Sequence, residues 1–189
     1  GRVFVYNGPL VQGQAPAWTS EINQALASYG SSVASAGDVN GDHTADIVIG
    51  ASSFDNASWT DSGRAYIYHG PLAQGEAPTW QVGGDQASLY FGSAVAGAGD
   101  LNGDGFSDVI VGAFGYDSGT QSNVGRAYVY LGSASGVDTT VDWTMDGDQA
   151  NEYFGRAVAS AGDVNGDGRA DLILGSQSWS NGQDREGRA

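Results

Sequence analysis

The chain has 189 residues, and its 22 acidic side chains outnumber seven arginines, with no lysine, for a net charge of −15. Such a charge balance repels phosphate, which excludes nucleic acid as a partner and disfavours an anionic membrane surface. No run approaches the roughly 18 apolar residues of a membrane-spanning helix, so no membrane insertion is expected, and the absence of cysteine excludes disulfides, thiolate zinc sites and a cysteine nucleophile.

The sequence repeats with a period of about 62 residues. Similar segments GRVFVYNG, GRAYIYHG and GRAYVYLG begin at residues 1, 63 and 125, and a truncated GRA begins at residue 187. One tryptophan recurs in each copy: Trp18, Trp80 and Trp143. Self-similarity at a fixed period of this length indicates a repeat architecture. We therefore divide the chain, as one segment, into repeats 1–62, 63–124 and 125–186, with 187–189 starting a fourth.

Each repeat predicts four short strands. The segment that begins with Gly-Arg, GRAYVYLG in the third copy, alternates its side chains with the period of two that is typical of a strand with distinct faces. A weaker strand is predicted around the tryptophan, and a third in the small-residue segment YFGRAVASAGD (153–163), which suits close backbone approach. The fourth, ADLILG (170–175), is a continuous apolar run and predicts a strand buried on both faces. Because no segment keeps a 3.6-residue period, we predict an all-β chain.

An acidic loop precedes the fourth predicted strand in every repeat. The loops are DVNGDHTAD (38–46), DLNGDGFSD (100–108) and DVNGDGRAD (163–171), and they hold nine of the 22 acidic residues. Calcium takes six to eight oxygen ligands, which side chains at positions 1, 3, 5 and 9 and the carbonyl at position 7 can supply. The candidate ligands are the side chains of Asp38, Asn40, Asp42, Asp46, Asp100, Asn102, Asp104, Asp108, Asp163, Asn165, Asp167 and Asp171, and the carbonyls of Thr44, Phe106 and Arg169. We predict three Ca²⁺ sites per chain.

Three alternatives to this kind of calcium loop fit the sequence less well. An EF-hand needs an acidic residue at position 12, where this chain has Ile49, Val111 and Leu174 inside predicted strands. Metal-free Asn/Asp turns are possible, but three unrelated turns would not each keep four oxygens at identical spacing. Magnesium fits less well, because its octahedral shell resists so protein-rich a cage. His43 replaces the glycine at position 6, so the first site is predicted to be the weakest.

The segment YFGSAVAGAGD–LNGDGFSD–VIVGAF (90–114) resembles the FG-GAP repeat of integrin α-subunit propellers, which also occurs in bacterial secreted proteins. Tyr90-Phe91-Gly92 matches the FG element and Val111-Gly112-Ala113 the GAP element. The resemblance covers essentially the whole chain, three times, although the first copy has SYGSSV (28–33) for FG and no copy has proline in its GAP element. It implies β-propeller blades of four antiparallel strands, and an extracellular or secreted binding or adhesion module.

Enzymatic activity is not expected, because catalysis usually needs one asymmetric constellation and almost every polar feature here occurs three times. The non-repeated segments SFDNASWTDS (53–62), FGYDSGTQSNV (114–124) and SQSWSNGQDRE (176–186) are variable loops, where a protein or glycan ligand would bind by analogy with the family. The tryptophans are expected to pack between blades rather than to stack on sugars. The alternative function is a structural scaffold, or an excised or engineered propeller fragment, with no ligand except calcium.

Three repeats are too few for a closed propeller, which usually has four to eight blades. The chain begins at the third strand of a blade and ends after the second, so two copies could complete each other's half-blades. The expectation is a homodimer that closes a six-bladed ring with two shared blades. The alternative is that further blades belong to a longer propeller.

Overall fold

A computed structural model describes residues 1–183 and 185–189. The strands, in chain order, are β1 (Arg2–Val5), β2 (Trp18–Glu21), β3 (Tyr29–Gly37), β4 (Asp46–Ala51), β5 (Arg64–Tyr68), β6 (Trp80–Gly83), β7 (Ala94–Gly99), β8 (Asp108–Ala113), β9 (Arg126–Tyr130), β10 (Trp143–Asp146), β11 (Phe154–Gly162) and β12 (Asp171–Ser176). No helix in the described ranges is long and apolar enough to cross a membrane. The prediction of an all-β chain with four strands per repeat is confirmed.

Two complete blades and two half-blades make up the fold. Strands β3-β4-β5-β6 form one antiparallel sheet and β7-β8-β9-β10 the next, each in chain order, whereas β1-β2 and β11-β12 form two-stranded sheets. The first strands β3, β7 and β11 lie beside one another, so the blades converge on them. Each blade therefore takes its first two strands from one sequence repeat and its last two from the next.

The middle strands of the complete blades are buried on both faces. Every residue of β4 and β8 is at least partly buried, as their continuous apolar runs predict. For β12 the same prediction is wrong: Ile173 is 50% exposed, because this half-blade has only two strands. The Gly-Arg strands were predicted to have two distinct faces, and in β5 both faces are covered, since Ala65 to Tyr68 are all buried. The reason is that Ile67 packs into the core toward the following blade while Tyr66 packs into the core toward β1 and β2.

The tryptophans of two of the three fourth strands anchor one blade to the next. Trp18 and Trp80 are only 2% and 4% exposed. Their indole N–H groups donate to the backbone carbonyls of Ala73 at 3.1 Å and Asp138 at 2.7 Å, both in loops of the following blade. These contacts support the packing role for both. Trp143 is 45% exposed, and in the described part of the chain no equivalent carbonyl accepts its N–H.

Candidate metal centre

The three acidic loops connect the first and second strands of successive blades. They lie between β3 and β4, between β7 and β8, and between β11 and β12, so all three stand at the same end of their blades. The variable loops leave the opposite end of the second strand, six residues away. A strand of that length spans roughly 20 Å, which separates the acidic loops from the variable loops.

The first aspartate of each loop holds the loop in a curl. Asp38 Oδ1 accepts hydrogen bonds from the N–H groups of Gly41 at 2.7 Å and Asp42 at 3.1 Å, and its Oδ2 accepts from His43 at 2.8 Å. A side chain that binds amides three to five residues ahead fixes a tight turn. The same three bonds recur at position 1 of the other loops: Asp100 and Asp163.

Positions 3 and 5 pair with each other. Asn40 Oδ1 accepts from Asp42 N at 2.9 Å, and Asn40 Nδ2 donates to Asp42 Oδ2 at 3.0 Å. The Asn40 amide, followed by the N–H of Thr44, lowers the pKa of Asp42. The carboxylate is therefore ionised and exposed at neutral pH, and its free lone pairs are available to a cation. The equivalent pairs are Asn102 with Asp104 and Asn165 with Asp167.

The aspartate at position 9 has a structural role that the sequence did not indicate. Asp46 and Asp108 are fully buried. Asp108 accepts hydrogen bonds from Leu101 N at 2.7 Å and Gly132 N at 2.9 Å, which ties its loop to the end of the third strand of the blade. Burial raises the pKa of Asp108, and the charges of two other loop carboxylates add to this rise while the two backbone bonds oppose it. A nearby cation would offset the unfavourable free energy of ionising this buried carboxyl group.

The donor set of each loop fits calcium better than a transition metal. Each loop offers three carboxylates, one amide and one backbone carbonyl, which are all oxygen donors and match the preference of Ca²⁺. Among the described residues, no three His, Cys, Asp or Glu side chains are clustered closely enough to hold a metal ion by themselves. A bound ion would therefore have to draw on the remaining lone pairs of these carboxylates together with the amide and carbonyl oxygens.

Position 6 requires a left-handed backbone in every loop. The φ angle is +67° at His43, +91° at Gly105 and +87° at Gly168. Glycine adopts this region without a steric penalty, whereas a residue with a side chain is sterically strained there. The histidine of the first loop is thus placed at a strained position, as its substitution for glycine suggested.

One recurrent side chain was missed in the sequence. Gln24 donates to the carbonyl of Asp55 at 2.8 Å and accepts from its N–H at 2.9 Å, so one amide binds both backbone groups of a residue in the variable loop. Gln86 does the same with Asp117, and Gln149 with Ser180. The signal was a glutamine before alanine at the same place in each repeat. Position 184, in the last variable loop, lies outside the described residues.

The arginines of β5 and β9 stack on aromatic rings of the variable loops. Arg126 lies 3.7 Å from the ring centroid of Tyr116 and forms a two-bond ion pair with Asp146. Arg64 lies 3.9 Å from the centroid of Phe54. Its Nε is buried without a hydrogen-bond partner, because Gly83 stands where Asp146 stands in the next blade.

The comparison with known families decides what these blades are. The FG-GAP repeat profile matches residues 29–68, 91–130 and 154–189, the segments that carry the acidic loops and the strands around them. The chain belongs to the FG-GAP repeat family. The resemblance that the sequence suggested is confirmed, and each FG-GAP match spans the first three strands of a blade or half-blade as far as the chain extends.

The FG-GAP chain is similar to several integrin α-chains. Identity is 33% to integrin alpha-V of Gallus gallus over 183 residues, which is 93% of this chain and 17% of that protein. It is 34% to integrin alpha-IIb of Homo sapiens over 158 residues, which is 79% of this chain and 15% of that protein. It is 31% to integrin alpha-5 of Xenopus laevis, also over 158 residues. The chain thus spans less than a fifth of the length of these relatives.

Proposed function

We propose that this FG-GAP chain is a calcium-binding propeller module that serves in extracellular binding or adhesion, without catalytic activity. The observation that carries the proposal is the acidic loop, which recurs three times with the same hydrogen bonds at the same end of each blade. Similarity to integrin α-chains over most of this chain supports the adhesion class.

Calcium would act on the stability of the blades. In each loop the side chains at positions 1, 3, 5 and 9 and the carbonyl at position 7 would hold the ion, which supplies positive charge and no reaction chemistry. Three divalent ions would bring the net charge from −15 to −9. Because the variable loops lie at the opposite end of the blades, calcium would support a ligand surface without contacting the ligand.

Calorimetric titration with CaCl₂ tests the metal sites. The expected stoichiometry is three Ca²⁺ per chain, and it should fall to two when Asp104→Ala removes one exposed ligand. The matched Asp117→Ala variant, an aspartate of a variable loop, should keep three. Absence of binding heat together with no change in intrinsic fluorescence or melting behaviour would remove the calcium proposal.

The variable loops are the surface that a protein or glycan ligand would contact. The sequences of the variable loops differ, yet the side chains of Gln24, Gln86 and Gln149 bind the backbone of each loop in the same way. Loops with the same backbone anchor therefore present different side chains. An array of glycans and matrix proteins probed with the calcium-loaded protein tests this role. Binding that is lost when a variable loop is replaced by Gly-Ser supports it, and a blank array favours the scaffold alternative.

Self-assembly into a ring is the second candidate role. The half-blade β11-β12 offers first and second strands, and β1-β2 offers third and fourth strands. Ser176 already pairs with Arg188 of the truncated fourth Gly-Arg segment, in the register that joins Ala113 to Arg126. The β1 strand of a second copy could take the same register, as could a further repeat of a longer chain. Light scattering of the 19.4-kDa chain with calcium should give twice that mass, and a monomer would contradict the dimer.

A further inference from the structure

One peptide group of the second acidic loop is hydrogen-bonded to the first loop. The N–H of Ser107, at position 8 of the second loop, donates to the backbone carbonyl of Asp38, at position 1 of the first loop, at 2.9 Å. The carbonyl of the same peptide belongs to Phe106, which is the candidate ligand at position 7. Since the C=O and N–H of a trans peptide point in opposite directions, this group faces its own loop on one side and the neighbouring loop on the other.

Close packing reinforces this hydrogen bond. A Cβ atom added to Gly41 of the first loop would lie 2.6 Å from the ring of Phe106, so the ring rests directly on the backbone of that loop. A Cβ on Gly37, the residue before the loop, would lie 2.6 Å from the Ser107 Cβ. The first loop therefore cannot change its conformation without disturbing positions 7 and 8 of the second.

The second and third loops are joined in the same way. The N–H of Ala170 donates to the carbonyl of Asp100 at 2.8 Å, and the preceding carbonyl is that of Arg169, the candidate ligand at position 7. A Cβ on Gly99 would lie 2.7 Å from the Ala170 Cβ. In the ranges that the structure describes, no hydrogen bond joins the first loop to the third, so the loops form a chain of nearest neighbours.

We propose that adjacent loops bind calcium cooperatively, with the 106–107 and 169–170 peptides as the couplers. The inference rests on the calcium sites proposed above. A cation on the carbonyl polarises the peptide group and strengthens its N–H as a donor. The strengthened bond orders the first ligand residue of the neighbouring loop, which then pays less conformational entropy when its own ion binds.

Charge acts against this coupling. A loop that has bound Ca²⁺ is less negative, so it attracts a second ion to its neighbour less strongly. Salt screens that effect over about 8 Å at 0.15 M, whereas a direct hydrogen bond is little affected. The net coupling is therefore expected to be positive at 0.15 M salt and to increase at higher salt.

Calcium titration of proteins with two working sites measures the coupling. Asp167→Ala disables the third site and leaves the adjacent first and second sites, and Asp104→Ala leaves the non-adjacent first and third sites. Adding a further alanine at Asp42 or at the remaining position-5 aspartate gives the intrinsic constant of each site alone. The coupling factor is the overall two-ion constant divided by the product of the two intrinsic constants. We expect about fivefold or more for the adjacent pair and a factor close to one for the non-adjacent pair.

Phe106→Ala tests whether the coupling passes through this contact between the first and second loops, because it keeps the carbonyl ligand but removes the ring from Gly41. It should lower the coupling factor of the adjacent pair more than it lowers the intrinsic constant of the second site. A factor of one for the adjacent pair, or equal factors for both pairs, overturns the inference while calcium binding itself stands. No binding at any site overturns the proposed function instead. If circular dichroism shows that an alanine variant is unfolded, the asparagine variant at that aspartate, or Phe106→Leu, replaces it.

Discussion

Position 6 of the acidic loops is where a single residue type decides whether the backbone is strained. The backbone there is left-handed in all three copies, yet the first carries His43 where the others carry glycine. Of the common residues only glycine enters this region freely, and histidine adopts it at a cost. The loop geometry is the same in all three copies, so the cost of the side chain remains in the first loop rather than being relieved by a different turn.

His43→Gly should therefore strengthen the first loop. We expect the free energy of unfolding to rise by about 0.5–1 kcal/mol, since the strain removed exceeds the added freedom of glycine in the unfolded chain. Urea unfolding in EDTA measures the change apart from metal binding. The reverse substitution Gly105→His is the matched control and should destabilise by a similar amount. A stabilising Gly105→His would contradict the account.

Arg64 offers a second prediction at the residue scale. It lacks the acidic partner that Asp146 gives Arg126, and a Cβ on Gly83 would lie 3.4 Å from its Nε. Gly83→Asp should stabilise the protein by roughly 0.5–1 kcal/mol, because a partly exposed ion pair of good geometry forms and a flexible strand residue is replaced. Thermal unfolding at low and high salt measures it. Gly83→Asn keeps the shape without the charge, so equal gains for both variants would exclude the ion pair as the cause.

At the scale of elements, the fourth strand of one blade is held by a loop of the next. Trp80 is buried and donates to Asp138, whereas Trp143 is 45% exposed with the same place in its own blade. Trp80 is covered by the following blade, through the loop of Asp138 and the ring of Tyr130, whereas no described residue covers Trp143 in this way. Comparing the two therefore separates the energy of the inter-blade contact from the propensity of the strand.

Trp80→Ala should cost about 3–5 kcal/mol, as expected when a large buried side chain is removed and a cavity is left. Trp143→Ala, the matched control, should cost less than about 1 kcal/mol in this chain. Urea unfolding of both variants gives the comparison. Equal losses would mean that the tryptophan acts within its own strand rather than between blades.

The sequence predicted those features that depend on residues close together in the chain. The strand β8 could be predicted from its apolar run, and the acidic loops from the spacing of their oxygens. Burial of both faces of β5 could not, because the covering blades come from elsewhere in the chain. Likewise Asp108 is an ordinary ligand candidate in the sequence, and its bond to Gly132 exists only once the third strand is in place.

The departure of the first copy from the FG element also depends on a contact between distant parts of the chain, which the sequence alone could not show. Tyr29 stands where the other copies have phenylalanine, and its hydroxyl lies 2.9 Å from Ser20 Oγ and 3.2 Å from the Tyr68 hydroxyl. A buried hydroxyl is tolerated when it is hydrogen-bonded. Ser20 occupies the place of Val82 in the next blade, so the two changes compensate each other across strands that are distant in sequence.

At the scale of the whole molecule, the charge balance and the fold both indicate that stability depends on bound cations. Nine of the 22 acidic residues lie in three loops at one end of the blades, where the second loop is hydrogen-bonded to the first and the third loop to the second. Without cations these carboxylates repel each other, and the buried Asp108 is held at a raised pKa. The blades are thus expected to be less stable when metal is removed, and the first loop is tied directly to the hydrophobic core through the buried Val39.

The melting temperature with calcium and with EDTA tests this central claim most directly. At calcium concentrations 100 times the dissociation constant, each independent site adds about 2.7 kcal/mol to the free energy of unfolding. The melting temperature should therefore be clearly higher in calcium than in EDTA, with excess magnesium giving a smaller rise. A variant with alanine at positions 42, 104 and 167 should not respond. An identical melting temperature in calcium and in EDTA would contradict a calcium-stabilised propeller module.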